Sequence, residues 1–190
     1  MIETNLDKSD ILFSRRSFVA AAAGVAAALI LPSAPALALS KKDVRKLCFD
    51  HTHTGESMDV TYWADGNYVK NGLKQVNHLL RDFRNDKQKA IDPELLDQMV
   101  LLQRKLGSKG RFEIISAYRS PQTNRMLRRN SYGVAKNSFH LQAKAIDIRL
   151  SDVDLYTMRA AAVEMNAGGV GIYTGADFMH IDTGPVRSWG

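Results

Sequence analysis

The sequence predicts an α+β domain in which helices pack on a small antiparallel sheet. Two long amphipathic periodicities come first and several short alternating strands follow, an order that favours hairpin-like pairing over crossover units. Turn signals separate these segments, and a composition of 45% hydrophobic and 24% charged residues over 190 positions supplies enough apolar side chains for one core.

The first element is a hairpin between Val44 and Trp63. Leu47 and Phe49 alternate with polar residues, His53-Thr54-Gly55-Glu56 marks a turn, and Val60 to Trp63 resumes the alternation. From Tyr68 the positions Tyr68, Leu73, Val76, Leu79, Leu80 and Phe83 fall near helical spacing, predicting an amphipathic helix. Asp92-Pro93 then signals an N-cap and first turn, Leu95, Leu96, Met99, Val100, Leu102 and Leu106 give a second helical stripe, and Gly107 supplies its stop. Phe112 to Tyr118 reads as a strand, Pro121 to Arg129 as a short polar helix, and Ala143 to Leu150 as a second strand. Asp152 to Met165 predicts a third long helix, Gly168 to Tyr173 a glycine-opened strand, and Phe178 to Asp182 a last strand.

Residues 1–38 differ in kind. Ser14-Arg15-Arg16-Ser17-Phe18-Val19 precedes an uncharged, Ala-rich run from Phe18 to Leu31, shorter than the ~20 residues of a membrane-spanning helix. Pro32, Pro35 and Ala36-Leu37-Ala38 follow, which fits a small-residue cleavage site. This stretch resembles a twin-arginine export signal. It implies passage through the twin-arginine translocase as a folded cargo, cleavage after Ala38, residence of a domain over residues 39–190 in the periplasm or cell envelope, and no stable membrane span after cleavage. The alternatives are an uncleaved anchor and an Ala-rich core helix behind a charged leader. Lys8, Arg15 and Arg16 balance Glu3, Asp7 and Asp10, so the formal charge of +6 belongs to the remainder of the chain. A basic surface suits nucleic acid or an anionic cell wall. Export argues against nucleic acid, and no helix carries a basic face interleaved with aromatics.

Cys48 is the only cysteine, which excludes an intramolecular disulfide and a thiolate-built zinc site. Any metal must be held by histidine and carboxylate. Of the five histidines, His78 sits within the first helix and reads as solvated or structurally satisfied. His140 and Asp147 are seven residues apart, so an unbroken strand would put them on opposite faces and their convergence needs a turn near Leu141-Gln142. His180 and Asp182 share a face of the last strand. His140, Asp147 and His180 would offer two nitrogens and one oxygen, leaving a fourth zinc position for water. By spacing alone they are equally readable as unrelated surface and core residues.

Ser138-x-His140, Ala145-x-Asp147 and the late His180-Ile181-Asp182-Thr183-Gly184-Pro185 resemble the zinc peptidases grouped with lysostaphin, the D-Ala-D-Ala carboxypeptidases and the amino-terminal domain of sonic hedgehog. Ser116-Ala117-Tyr118-Arg119-Ser120, Gly133-Val134-Ala135-Lys136 and Ala167-Gly168-Gly169-Val170-Gly171 extend the resemblance toward murein endopeptidases. It implies one Zn2+ per chain on His140, Asp147 and His180, with Arg119 polarising the scissile carbonyl. It further implies peptidoglycan stem peptides as substrate and hydrolysis of the crosslinks between them. A D-Ala-type carboxypeptidase and a non-catalytic zinc-containing wall-binding module are the competing readings.

Two positions depart from the relatives. Ala143 replaces a glycine, so no glycine-only backbone conformation is expected there. Asp177 stands where carboxypeptidase relatives carry the glutamate that serves as base, so Asp177 and Asp182 compete for that role, with His53 third. Arg187, Trp189 and the Gly168-Gly169 pair read as core closure and a turn.

Overall fold

A computed structural model describes residues 39–190, Tyr132 excepted. The export-signal reading of residues 1–38 falls outside the described residues. Within them, β1 (Arg45–His51) and β2 (Ser57–Ala64) form the expected hairpin, with Gly55 left-handed in its turn at φ +72°. β3 (Asn67–Tyr68) pairs with β2, so Tyr68 belongs to a strand rather than opening the helix. α1 (Lys70–Leu79) follows and ends before Phe83, which is thereby released from the helical stripe. α2 (Pro93–Leu106) has the expected ends: Asp92 accepts the Glu94 N–H, and Gly107 caps the other end at φ +61°.

β4 (Phe112–Ser116) leads through Ser120, whose hydroxyl accepts the Thr123 N–H, into α3 (Pro121–Asn130). A single 3₁₀ turn (Phe139–Gln142) precedes β5 (Ala145–Leu150), and α4 (Leu155–Glu164) is capped by Asp154. β6 (Gly169–Tyr173), β7 (Phe178–Asp182) and β8 (Arg187–Trp189) complete the chain.

The helices pack on one eight-stranded sheet of order β3-β2-β1-β4-β5-β7-β6-β8. The α+β architecture is as predicted, but the sheet is larger, and two of its pairs, β1 with β4 and β6 with β8, are parallel. Helix α2 lies against β1 and α4, and α4 against β6 and β7. Their apolar stripes meet Ile114, Ile146, Ile148, Met179 and Ile181, all nearly or fully buried. Period-two alternation then turns Asp147, His180 and Asp182 to the opposite face. No helix among the described residues is long and apolar enough to cross a membrane.

Candidate metal centre

Sheet register does most of the placing. Asp147 on β5 stands directly across from His180 on β7, and the same rung runs outward through Ser116 on β4 and through Gly171 and Trp189 on β6 and β8. Glycine at 171 is required by contact, since a Cβ there would collide with the Trp189 indole. That absence lets Trp189 lie against His180, with ring centroids 5.3 Å apart. Gly169 plays the same part on the next rung, where Arg187 crosses to Asp182.

His140 arrives differently. The 3₁₀ turn bends the chain so that its side chain rejoins Asp147 despite their odd spacing, and the Arg119 N–H, donating to the His140 carbonyl, ties this turn to the loop after β4. The bend ends on Ala143 at φ +59° and ψ +34°, the left-handed region. The position is one that glycine favours but does not monopolise, consistent with the expectation that no glycine-only conformation is needed: alanine adopts it, at roughly 1 kcal/mol or more of local strain, because the Ala143 N–H closes the turn on the His140 carbonyl and its methyl is fully buried.

The three side chains converge. His140 Nε2 is 3.2 Å from His180 Nδ1 and 3.2 Å from Asp147 Oδ1, and His180 Nδ1 is 2.9 Å from that same oxygen. Each ring is oriented from behind. The His140 Nδ1–H donates to the Ala117 carbonyl at 2.6 Å, and the His180 Nε2–H donates to Asp182 at 2.9 Å. With both rings neutral, the inward nitrogens offer lone pairs beside a carboxylate oxygen. Such a set suits a small divalent cation, since donors at about 2.0–2.1 Å in a tetrahedron lie about 3.3 Å apart. Burial opposes charge on all three groups; it pulls the His140 pKa down, whereas the imidazoles hold the Asp147 carboxyl well below the usual carboxylate range.

Arg119 joins the group, its Nη2 3.4 Å from Asp147 Oδ2 and 3.5 Å from the Ser116 hydroxyl, while its buried Nε has no hydrogen-bond partner among the described residues. The buried Asp82 carboxylate fixes its loop by accepting the Ser120 N–H at 2.9 Å.

The two carboxylates expected to compete as base lie elsewhere. Asp177, left-handed at φ +50° in the turn between β6 and β7, is exposed and paired with Arg149 at 3.3 Å, outside the cleft over the three converging side chains. Asp182 is fully buried and saturated: it accepts from His180, from the Gly169 and Gly184 N–H groups, and from both Arg187 amino groups. It orients His180 and has no free edge for a substrate water. His53, the third candidate, lines the cleft, stacked on Phe83 with centroids 4.4 Å apart. His51 braces that turn, its Nδ1 accepting the His53 and Thr54 N–H groups. His78 is exposed on α1 beside Glu56, as the sequence suggested.

Sequence reasoning set aside Arg187 and Trp189, which form a wall of the site from β8. The signal that would have found them is glycine at every second residue of a strand, which marks close approach of bulky neighbours on one face.

A cleft of about 750 Å³ opens above His140, Asp147 and His180. Taken with the sheet that aligns the donors and the arginine beside them, this is the construction of a metallopeptidase. Comparison with known proteins narrows the class: residues 39–189 match the family described as peptidoglycan L,D-endopeptidase MepK. The Escherichia coli K12 protein of that name is 41% identical over 184 residues, covering 97% of this chain and all of the relative, and the Shigella flexneri protein gives the same figures. A Haemophilus influenzae protein named as a probable peptidoglycan L,D-endopeptidase is 38% identical over 161 residues, 84% of this chain and 87% of its own. The chain belongs to this family. No solved structure gave a significant match.

Proposed function

We propose that the domain is a zinc-dependent L,D-endopeptidase hydrolysing peptide crosslinks between peptidoglycan stems, with one zinc on His140, Asp147 and His180. The observation that carries this reading is the meeting of two imidazole nitrogens and a carboxylate oxygen under an open cleft, in a family whose relatives are named for that activity. Zinc in such a three-donor site supplies Lewis acidity toward the scissile carbonyl and lowers the pKa of a water in the fourth position toward neutrality.

The protein's own groups do the rest. Arg119, permanently charged and planar, orients the carbonyl and stabilises negative charge developing on its oxygen. His53 takes the proton of the attacking water and returns it to the leaving amine, because it alone of the three candidate bases faces the cleft with a ring free of hydrogen bonds among the described residues. Asp182 keeps His180 in one tautomer throughout. Residues 1–38 are proposed to be the twin-arginine signal that delivers this domain to the envelope. The paired Arg15-Arg16, the apolar run and Ala36-Leu37-Ala38 support that reading, and a mature amino terminus at Leu39 would test it.

The activity is tested by digesting purified crosslinked muropeptides with the zinc-loaded protein and its His53→Ala variant. The expected result is loss of L,D-crosslinked dimers, with zinc retained but turnover reduced about 10²- to 10⁴-fold in the variant. Shortened monomers with intact dimers would establish a carboxypeptidase instead. Zinc and wall binding without any hydrolysis would establish a binding module.

A further inference from the structure

The cleft holds a second cation that the hydrolytic machinery leaves unused. Arg84 lines it with Arg119, yet among the described residues no carboxylate pairs with the Arg84 side chain and no acceptor receives a hydrogen bond from it. Seven of the twelve arginines among the described residues are matched: Arg45 with Asp97, Arg81 with Glu56, Arg104 with Asp43, Arg111 with Asp50, Arg119 with Asp147, Arg149 with Glu113 and Arg187 with Asp182. Arg125, Arg128 and Arg129 on α3 and Arg159 on α4 are not, but they line no part of the cleft.

Arg84 is also held in place. Its guanidinium packs 4.2 Å from the centroid of Phe83, the ring on which His53 stacks. Its backbone N–H donates at 3.2 Å to one oxygen of Asp82, whose other oxygen receives the Ser120 N–H beside Arg119. One buried carboxylate therefore anchors both the backbone at Arg84 and the loop that carries Arg119. Burial lowers the Arg84 pKa; Asp82 opposes the effect, and the charge of Arg119 adds to it, so the two cations sense each other.

We propose that Arg84 binds a carboxylate of the substrate, so that the cleft selects a peptide carrying a free acid group within a residue or two of the scissile bond. The proposal rests on the peptidase reading of the cleft and adds its specificity. An unmatched guanidinium stacked on Phe83 at the cleft favours a carboxylate by a charge-assisted, two-pronged hydrogen bond, and Arg119 is already engaged with Asp147. The Phe83 face and the His53 ring supply the apolar and polar sides of the same subsite.

The test compares wild type, Arg84→Ala and Arg84→Lys on crosslinked muropeptides with free carboxylates and on the same compounds amidated, reading KM and kcat by turnover and Kd by calorimetry on the metal-free proteins. For the acid form, Arg84→Ala should raise KM and Kd about 10- to 100-fold. The change in kcat should stay within about threefold, since the contact holds substrate and transition state alike. Amidation should weaken wild type similarly and abolish the difference between wild type and Arg84→Ala, while Arg84→Lys recovers part of the loss. An unchanged Kd in Arg84→Ala, or an equal loss for acid and amide forms, would overturn the proposal. Because Kd is read without turnover, the role of Arg84 is decided even if the wild type cleaves nothing, an outcome that sinks the peptidase reading alone.

Discussion

The two faces of strands β5 and β7 are built from the same backbone under different rules. On one face Ile146, Ile148, Met179 and Ile181 meet the helices and need only apolar surface of suitable volume. On the other, Asp147, His180 and Asp182 are as well buried, yet each holds its position through particular hydrogen bonds to particular partners. The first face is specified by a pattern and the second by a network. Substitution on the first should therefore damage the fold and spare the chemistry, and substitution on the second should do the reverse.

His140→Ala is the most severe break. It should remove bound zinc and abolish hydrolysis, while the melting temperature of chelator-treated protein shifts by less than about 5 °C, because a lone pair facing a carboxylate is lost together with a ring. Zinc retained at wild-type stoichiometry would refute the ligand assignment. Ile148→Ala tests the opposite face: it should cost about 2–5 kcal/mol in denaturant unfolding through lost burial and a cavity, with zinc affinity of the folded protein unchanged. Asp182→Asn sits between the two faces in kind. It keeps shape but weakens the acceptor behind His180, and zinc affinity should fall about 10- to 100-fold by competition titration, with a smaller loss of stability; an unchanged affinity would show that the rung alone orients the ring. Ala143→Gly should be nearly neutral, within about 1 kcal/mol by chemical unfolding, since relief of the left-handed backbone offsets the loss of a buried methyl worth about 0.8 kcal/mol.

What the sequence revealed follows the same division. Helix α2 was readable because Asp92-Pro93, the apolar stripe and Gly107 are local signals, and β7 because alternation over five residues suffices to mark a strand. The turn after His140 followed from parity alone. Strands β3 and β8 carry two and three residues, too few for any period, and their pairing with β2 and β6 is decided by contacts remote in sequence. The spacing of Asp177 from His180 likewise cannot show that a left-handed turn swings the carboxylate toward Arg149. The selection of Arg84 from many cations depended on knowing which arginines already have partners.

The rung that sets Asp147 opposite His180 bears on which ion the site accepts. Cα atoms across an antiparallel rung keep a separation of about 4.5–5.5 Å whatever is bound, so two of the three donors are nearly fixed. His140 alone rides on a single turn outside the ladder. Accommodation of a larger or smaller cation must therefore come from that turn, and discrimination between ions of similar charge is governed by how stiffly the backbone from Phe139 to Ala143 resists being opened.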